Sequence, residues 1–160
     1  MPEWADFFAA EVGASAALAG LVIVAISINL TRIMEVATLP GRAAETLVAP
    51  TGVLVASSYM LVPRQPAMQL AVELIVTGAA MWLLPIVLQF RTLTNPAHSP
   101  RGPLAVRFIL TQLYALPILA AGVVLWSGEA DGVAWMVPGV IASLVATVIN
   151  AWVLLVEILR

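Results

Sequence analysis

Cysteine and lysine are both missing from the 160 residues, histidine occurs once, and only 10% of positions carry a charge. Without cysteine there is no disulfide, thiol nucleophile or iron–sulfur ligand. Without lysine there is no Schiff base and no amine nucleophile. The lone His98, between Asn95 and Pro103, cannot supply the paired axial ligands of an intramembrane haem. No nucleotide-binding loop, metal-ligand spacing or catalytic triad is present, and Ser15, Ser27, Ser57 and Ser143 have no histidine partner at membrane depth. The chain is therefore expected not to be an enzyme, and to hold no cofactor and no metal. No nucleic-acid partner is expected either.

What fills the chain instead is apolar. Hydrophobic residues make up 62% of it and the mean hydropathy is +1.03, whereas soluble domains are about 45–50% apolar and about 25% charged. Five apolar runs, at about 11–33, 44–62, 67–90, 104–126 and 134–157, each approach the roughly 20 residues that a crossing helix needs. They predict an all-α, polytopic bundle of five transmembrane helices, one integral membrane domain over residues 1–160. Glu3 and Asp6 replace a basic n-region, so the first run reads as a span and not a cleaved signal.

All seven basic residues are arginines. With five spans, Arg32 and Arg42 flank the first connection, Arg91, Arg101 and Arg107 surround the third, and Arg160 closes the chain. These six share one side and leave Arg64 opposite. The positive-inside rule then puts the N-terminus outside and the C-terminus in the cytoplasm. Arginine without lysine, among abundant Ala, Gly and Val, suggests a high-GC bacterium, hence the bacterial inner membrane. Trp4, Phe7 and Phe8 beside acids suit an interfacial anchor at the outer leaflet. Glu73, about six residues into its helix, is expected to reach the outer interface.

Helix 1 carries two stripes. Glu11, Ser15, Leu18, Val22, Ala25, Asn29 and Arg32 form one, with charge at both ends and aliphatics between. Around a symmetry axis it would line a pore: Glu11 concentrates cations, Leu18 and Val22 form a dewetting constriction, and Asn29 and Arg32 stand at the exit. Gly13, Ala17, Gly20, Val24, Ser27 and Thr31 form the other, nearly all small, which suits close helix packing or an oligomer face. A second constellation gathers at the cytoplasmic ends: Arg42, Glu45, Gln89, Arg91, Arg107, Gln112, Asn150 and Glu157. Ionisable groups there must be paired or wet. Arg42 and Glu45, three apart, share a helix face, as do Glu157 and Arg160. The network reads as glue that fixes helix register, or as a pocket for an anionic ligand or lipid headgroup. Pro50, Pro85 and Pro117 fall inside helices 2, 3 and 4 and each removes a backbone donor.

The run Leu39–Pro40–Gly41–Arg42–Ala43–Ala44–Glu45–Thr46–Leu47 and the ending Asn150–Ala151–Trp152–Val153–Leu154–Leu155–Val156–Glu157–Ile158 resemble a group of small multi-pass membrane proteins of high-GC bacteria. Some of these are labelled modulators of a membrane-bound AAA protease. The resemblance implies membrane location and assigns no site residue.

Three functions follow as expectations. The first is a homo-oligomeric ion channel or pore lined by helix 1 with an acidic outer vestibule, its partners the lipid bilayer and inorganic ions. The second is a non-conducting regulator or adaptor that binds another membrane protein. The third is a small-molecule transporter, which an odd helix count disfavours.

Overall fold

The computed structural model describes residues 4–37, 39–93 and 102–159, and all of its regular structure is helical. The helices are α1 (Ala5–Ile28), α2 (Leu30–Glu35), α3 (Leu39–Met60), α4 (Ala67–Leu93), α5 (Gly102–Trp126) and α6 (Met136–Leu159), with a 3₁₀ segment, Ala130–Trp135, leading into α6. His98, Arg101, Arg160 and Glu3 lie outside the described residues, as does the side chain of Glu157.

Four segments are long and apolar enough to cross a membrane: Ala5–Ile28, Ala67–Arg91, Leu104–Trp126 and Asp131–Val156. Four such helices in one chain make this a multi-pass integral membrane protein. The remaining long helix, α3, has 22 residues but carries Arg42, Glu45, Thr46, Thr51, Ser57 and Ser58, so its composition alone does not mark it as a span.

The long helices alternate in direction. α3 packs against α1, α4 and α6, and α5 packs against α4 and α6, so the most polar helix is the one most enclosed. One end of the bundle holds the small cluster Ile33, Leu39, Ala43 and Leu154 with Ile26 beside it. The main core runs through Val53, Ala56, Leu74, Tyr114, Ile118 and Val140, each at most 2% exposed.

Several local details differ from the sequence reading, each for a physical reason. The first helix starts six residues earlier, because Phe8 is a core residue, fully buried, with Trp4 and Phe7 packed beside it. The three aromatic rings pack on one another at the start of α1, with edge-to-face stacking of Phe7 on Phe8 at 5.1 Å. The same helix breaks at Asn29. The Asn29 amide Nδ2 donates to Ala25 O at 2.8 Å and its backbone N–H donates to Ile26 O, so local side-chain bonding competes with the regular ladder. The second long helix starts ahead of the expected 44, because Leu39–Pro40–Gly41 forms the first turn of α3, where a missing N–H costs no helical bond.

The turns show their chemistry. After α5, Gly128 has φ +91°, its N–H donates to Leu125 O, and Glu129 N–H donates to Val124 O. That pair of bonds is a Schellman cap, which places the left-handed residue at glycine. The α3–α4 turn uses Arg64 at φ +58°, a conformation that costs a non-glycine residue about 1 kcal/mol.

The glycines that permit close helix approach are on α4 and α5, while Gly13 and Gly20 of α1 meet no neighbour. A Cβ at Gly78 would lie 2.7 Å from the Leu119 backbone nitrogen, and one at Gly122 2.7 Å from that of Ile75. These two glycines let α4 and α5 touch backbone to backbone, the way membrane helices pack without a hydrophobic effect between them.

Candidate functional site

The chemistry-bearing residues of the interior gather where α3, α4 and α5 meet. Glu45 lies on α3 a turn and a half from its start, Gln89 in the last turns of α4, and Arg107 and Thr111 in the first turns of α5. All four are buried, at 5%, 5%, 6% and 1% exposure. Arg107 Nη2 makes a short ion pair with Glu45 Oε2. Gln89 Nε2 donates to Glu45 Oε1 at 2.6 Å and to Thr111 Oγ1 at 3.2 Å. The Thr111 hydroxyl in turn donates a hydrogen bond to the Arg107 carbonyl at 3.0 Å. Both oxygens of the carboxylate therefore have donors, and both N–H groups of the Gln89 amide are used. Arg42, 9% exposed, is close enough to interact electrostatically with both Arg107 and Glu45.

Chemically this is a closed clamp. A buried carboxylate without a partner is very costly in an apolar medium, and here every oxygen is satisfied by a different helix. The arrangement can fix the register of three helices. It presents no unsatisfied atom of Glu45 or Gln89 Nε2 to a substrate.

Of the eight residues expected in this network, the structure joins Glu45, Gln89 and Arg107, with Arg42 alongside. Gln112 turns away and accepts from Trp82 Nε1 at 2.8 Å, tying α5 to α4 at a separate point. Arg91 is exposed and Asn150 half-buried. Thr111 was missed by sequence reasoning. Its signal was there: Arg107, Thr111 and Tyr114 recur at helical spacing on the buried face of α5.

On α1 the two stripes sit on different sides. Ser15 and Val22 are buried, at 0% and 5%. Ser15 Oγ donates to Glu11 O at 2.5 Å. Leu18, Val22 and Ala25 line a groove of about 290 Å³ whose other wall is α6, with Trp152 among its residues. Glu11 and Asn29 are half-buried, and exposed Arg32 pairs with Glu35 at 3.2 Å. The stripe proposed for a pore thus faces the rest of its own bundle. The small stripe faces away: Gly13, Ala17, Gly20, Val24, Ser27 and Thr31 are all exposed, and a Cβ at Gly13 or Gly20 would meet nothing within 4 Å.

At the other end, Glu73 accepts from Gln69 Nε2 at 2.9 Å and from Gln65 Nε2 through a shorter bond. Two neighbouring amides thus hold the carboxylate near the α3–α4 turn.

No family model matches this chain, and no curated protein or solved structure is similar to it.

Proposed function

We propose that this protein is a self-associating membrane adaptor that conducts nothing through its own bundle, and that copies pair through the small face of α1 to regulate another membrane protein. The observation that carries this reading is the division of α1. Its polar-ended stripe is turned into the protomer, while Gly13, Ala17 and Gly20 stand uncovered on the outside. Small residues at this spacing allow a second helix to approach closely, which is how helices associate inside lipid. The interior offers no competing role as a conduit, because Val53, Ala56, Leu74 and Ile118 fill it between the clamp and Phe8.

The same reading takes α3 as a fifth crossing helix. At about 1.5 Å per residue, its 22 residues span roughly 33 Å, comparable to a hydrocarbon core. Arg42, Glu45, Thr46 and Ser57 are buried within the bundle, and the exposed Ser58 hydroxyl donates to Leu54 O. Among the described residues, Arg32, Arg42, Arg91 and Arg107 then share one side, and Arg64 stands opposite with Asp6, Glu73, Glu129 and Asp131. The positive-inside rule puts the first group in the cytoplasm and the N-terminus outside, in a bacterial inner membrane.

The test is energy transfer between donor- and acceptor-labelled copies in lipid vesicles. Transfer is expected for the natural sequence and is expected to vanish for Gly20→Leu. A natural protein that stays monomeric at high protein-to-lipid ratio would reject the reading. A pore is the second reading, and one observation favours it: the outward face of α1 also exposes the Ser27 and Thr31 hydroxyls, so a ring of α1 copies would enclose a narrow, partly polar axis. Current across planar bilayers that disappears with Gly20→Leu would move the assignment to the pore.

A further inference from the structure

Between α3 and α4 runs an open groove of about 380 Å³, the size of a small-molecule pocket. Its floor is Met81, 2% exposed and seated against Gly52, where a Cβ would overlap the thioether. Apart from Thr51 on α3 and Thr77 on α4, every residue that lines it is apolar. Hydroxyls on helices commonly donate to a carbonyl of the preceding turn, as Thr46 and Ser58 do on α3 and Ser143 and Thr147 do on α6. Among the described residues, the Thr51 and Thr77 hydroxyls have no hydrogen-bond partner, although both border the groove.

Thr77 lies close to the middle of the span Ala67–Arg91, within about 3 Å in depth, and Thr51 shares its groove. Water does not reach the hydrocarbon core, so an unpaired hydroxyl there is costly unless an occupant supplies an acceptor. A phospholipid does not: its ester oxygens stay at the interface, roughly 15 Å away, half of the core thickness. A crossing helix from another chain also fits poorly. The α3 wall from Ala44 to Val55 is roughly 16 Å long and the α4 wall from Val76 to Leu84 roughly 12 Å, about half of the core. The groove suits a compact apolar body that carries two hydrogen-bond acceptors.

We infer that this groove binds a membrane-soluble carbonyl compound of the quinone class, its ring oxygens accepting from the Thr51 and Thr77 hydroxyls and its hydrocarbon tail lying over Met81 toward Leu84. The inference rests on the reading of α3 as a crossing helix and is independent of how α1 associates.

Native mass spectrometry of the detergent-purified full chain, titrated with decylbenzoquinone or with decylbenzene, tests it. Decylbenzoquinone is expected to bind once per chain and more tightly than decylbenzene. Thr51→Val and Thr77→Val keep the side-chain shape and remove the hydroxyl. Each should lower quinone affinity roughly fivefold, the equivalent of about 1 kcal/mol for one hydrogen bond, and leave decylbenzene unchanged. Ala80→Trp, at an exposed position on the groove wall, should weaken both compounds. Equal binding of the two compounds, unmoved by Thr51→Val and Thr77→Val, would overturn the site and mark a groove for acyl chains. Unchanged quinone binding in a folded Ala80→Trp protein would overturn it too, and energy transfer between copies that vanishes with Ala80→Trp would assign the groove to a second copy. Because binding is read in detergent, it is separate from the crossing of α3, which same-side labelling of cysteines at Glu35 and Arg64 would reject by itself.

Discussion

Glu45 on α3 and Arg107 on α5 are ion-paired within the bundle, with 6% and 7% of their side chains exposed. The pair closes a loop of 62 residues in sequence and includes α4 through Gln89, so one carboxylate sets the relative register of three helices. Its role is specificity of packing more than net stability, since the cost of desolvating both charges offsets much of their attraction.

That balance can be measured. Removing one partner, in Glu45→Ala or Arg107→Ala, leaves a buried charge and is expected to cost roughly 3–5 kcal/mol, whereas Glu45→Leu with Arg107→Leu should fall close to the natural protein. Unfolding in mixed micelles with increasing denaturing detergent reads both. Single variants as stable as the parent would mean that the carboxylate and guanidinium are not enclosed together.

The glycines separate into two classes with opposite expected responses. Gly78→Val or Gly122→Val drives a side chain into the backbone of the facing helix and should destabilise the protomer by about 1–3 kcal/mol or more. Gly13→Val and Gly20→Val add atoms where nothing lies within 4 Å, and protomer stability should stay within about 0.5 kcal/mol. The same unfolding assay compares the four. Equal losses in both classes would remove the distinction between the α4–α5 seam and the outer face of α1.

Because the chain has no native cysteine, single cysteines report topology without background. Cysteines at exposed Arg64 and Glu129 are expected to react with a membrane-impermeant maleimide from outside the cell. A cysteine at Glu35 should react only after the membrane is opened. Labelling of Glu35 and Arg64 from the same side would show that α3 does not cross.

Much of this architecture was legible in the sequence, and the failures follow a pattern. The apolar runs gave the long helices and most of their limits, since length and hydropathy are local properties. The start of α1 was misplaced because Asp6 and Glu11 read as solvent-facing, while Phe8, two residues from one of them, is buried in the core. Helical periodicity revealed both stripes of α1 but not which one turns inward, because that depends on the neighbours α3 and α6. Gathering Glu45, Gln89 and Arg107 at one end needed only parity of the helices. Pairing Glu45 with Arg107 on α5, when Arg42 is three residues away on its own helix, needed the packing of α3 against α4 and α5. The backbone contacts of Gly78 and Gly122 gave no sequence signal stronger than those of Gly13 and Gly20, which have no such contact.

Disulfide trapping along α1 in native membranes probes the docking face most directly, one introduced cysteine at a time. Copies should cross-link through cysteines at Gly13, Ala17, Gly20 and Val24 and not through those at Ser15 and Val22. Cross-links that peak at Ser15 and Val22, or that form at none of the six positions, would contradict the assignment of the outward small face as the contact between copies.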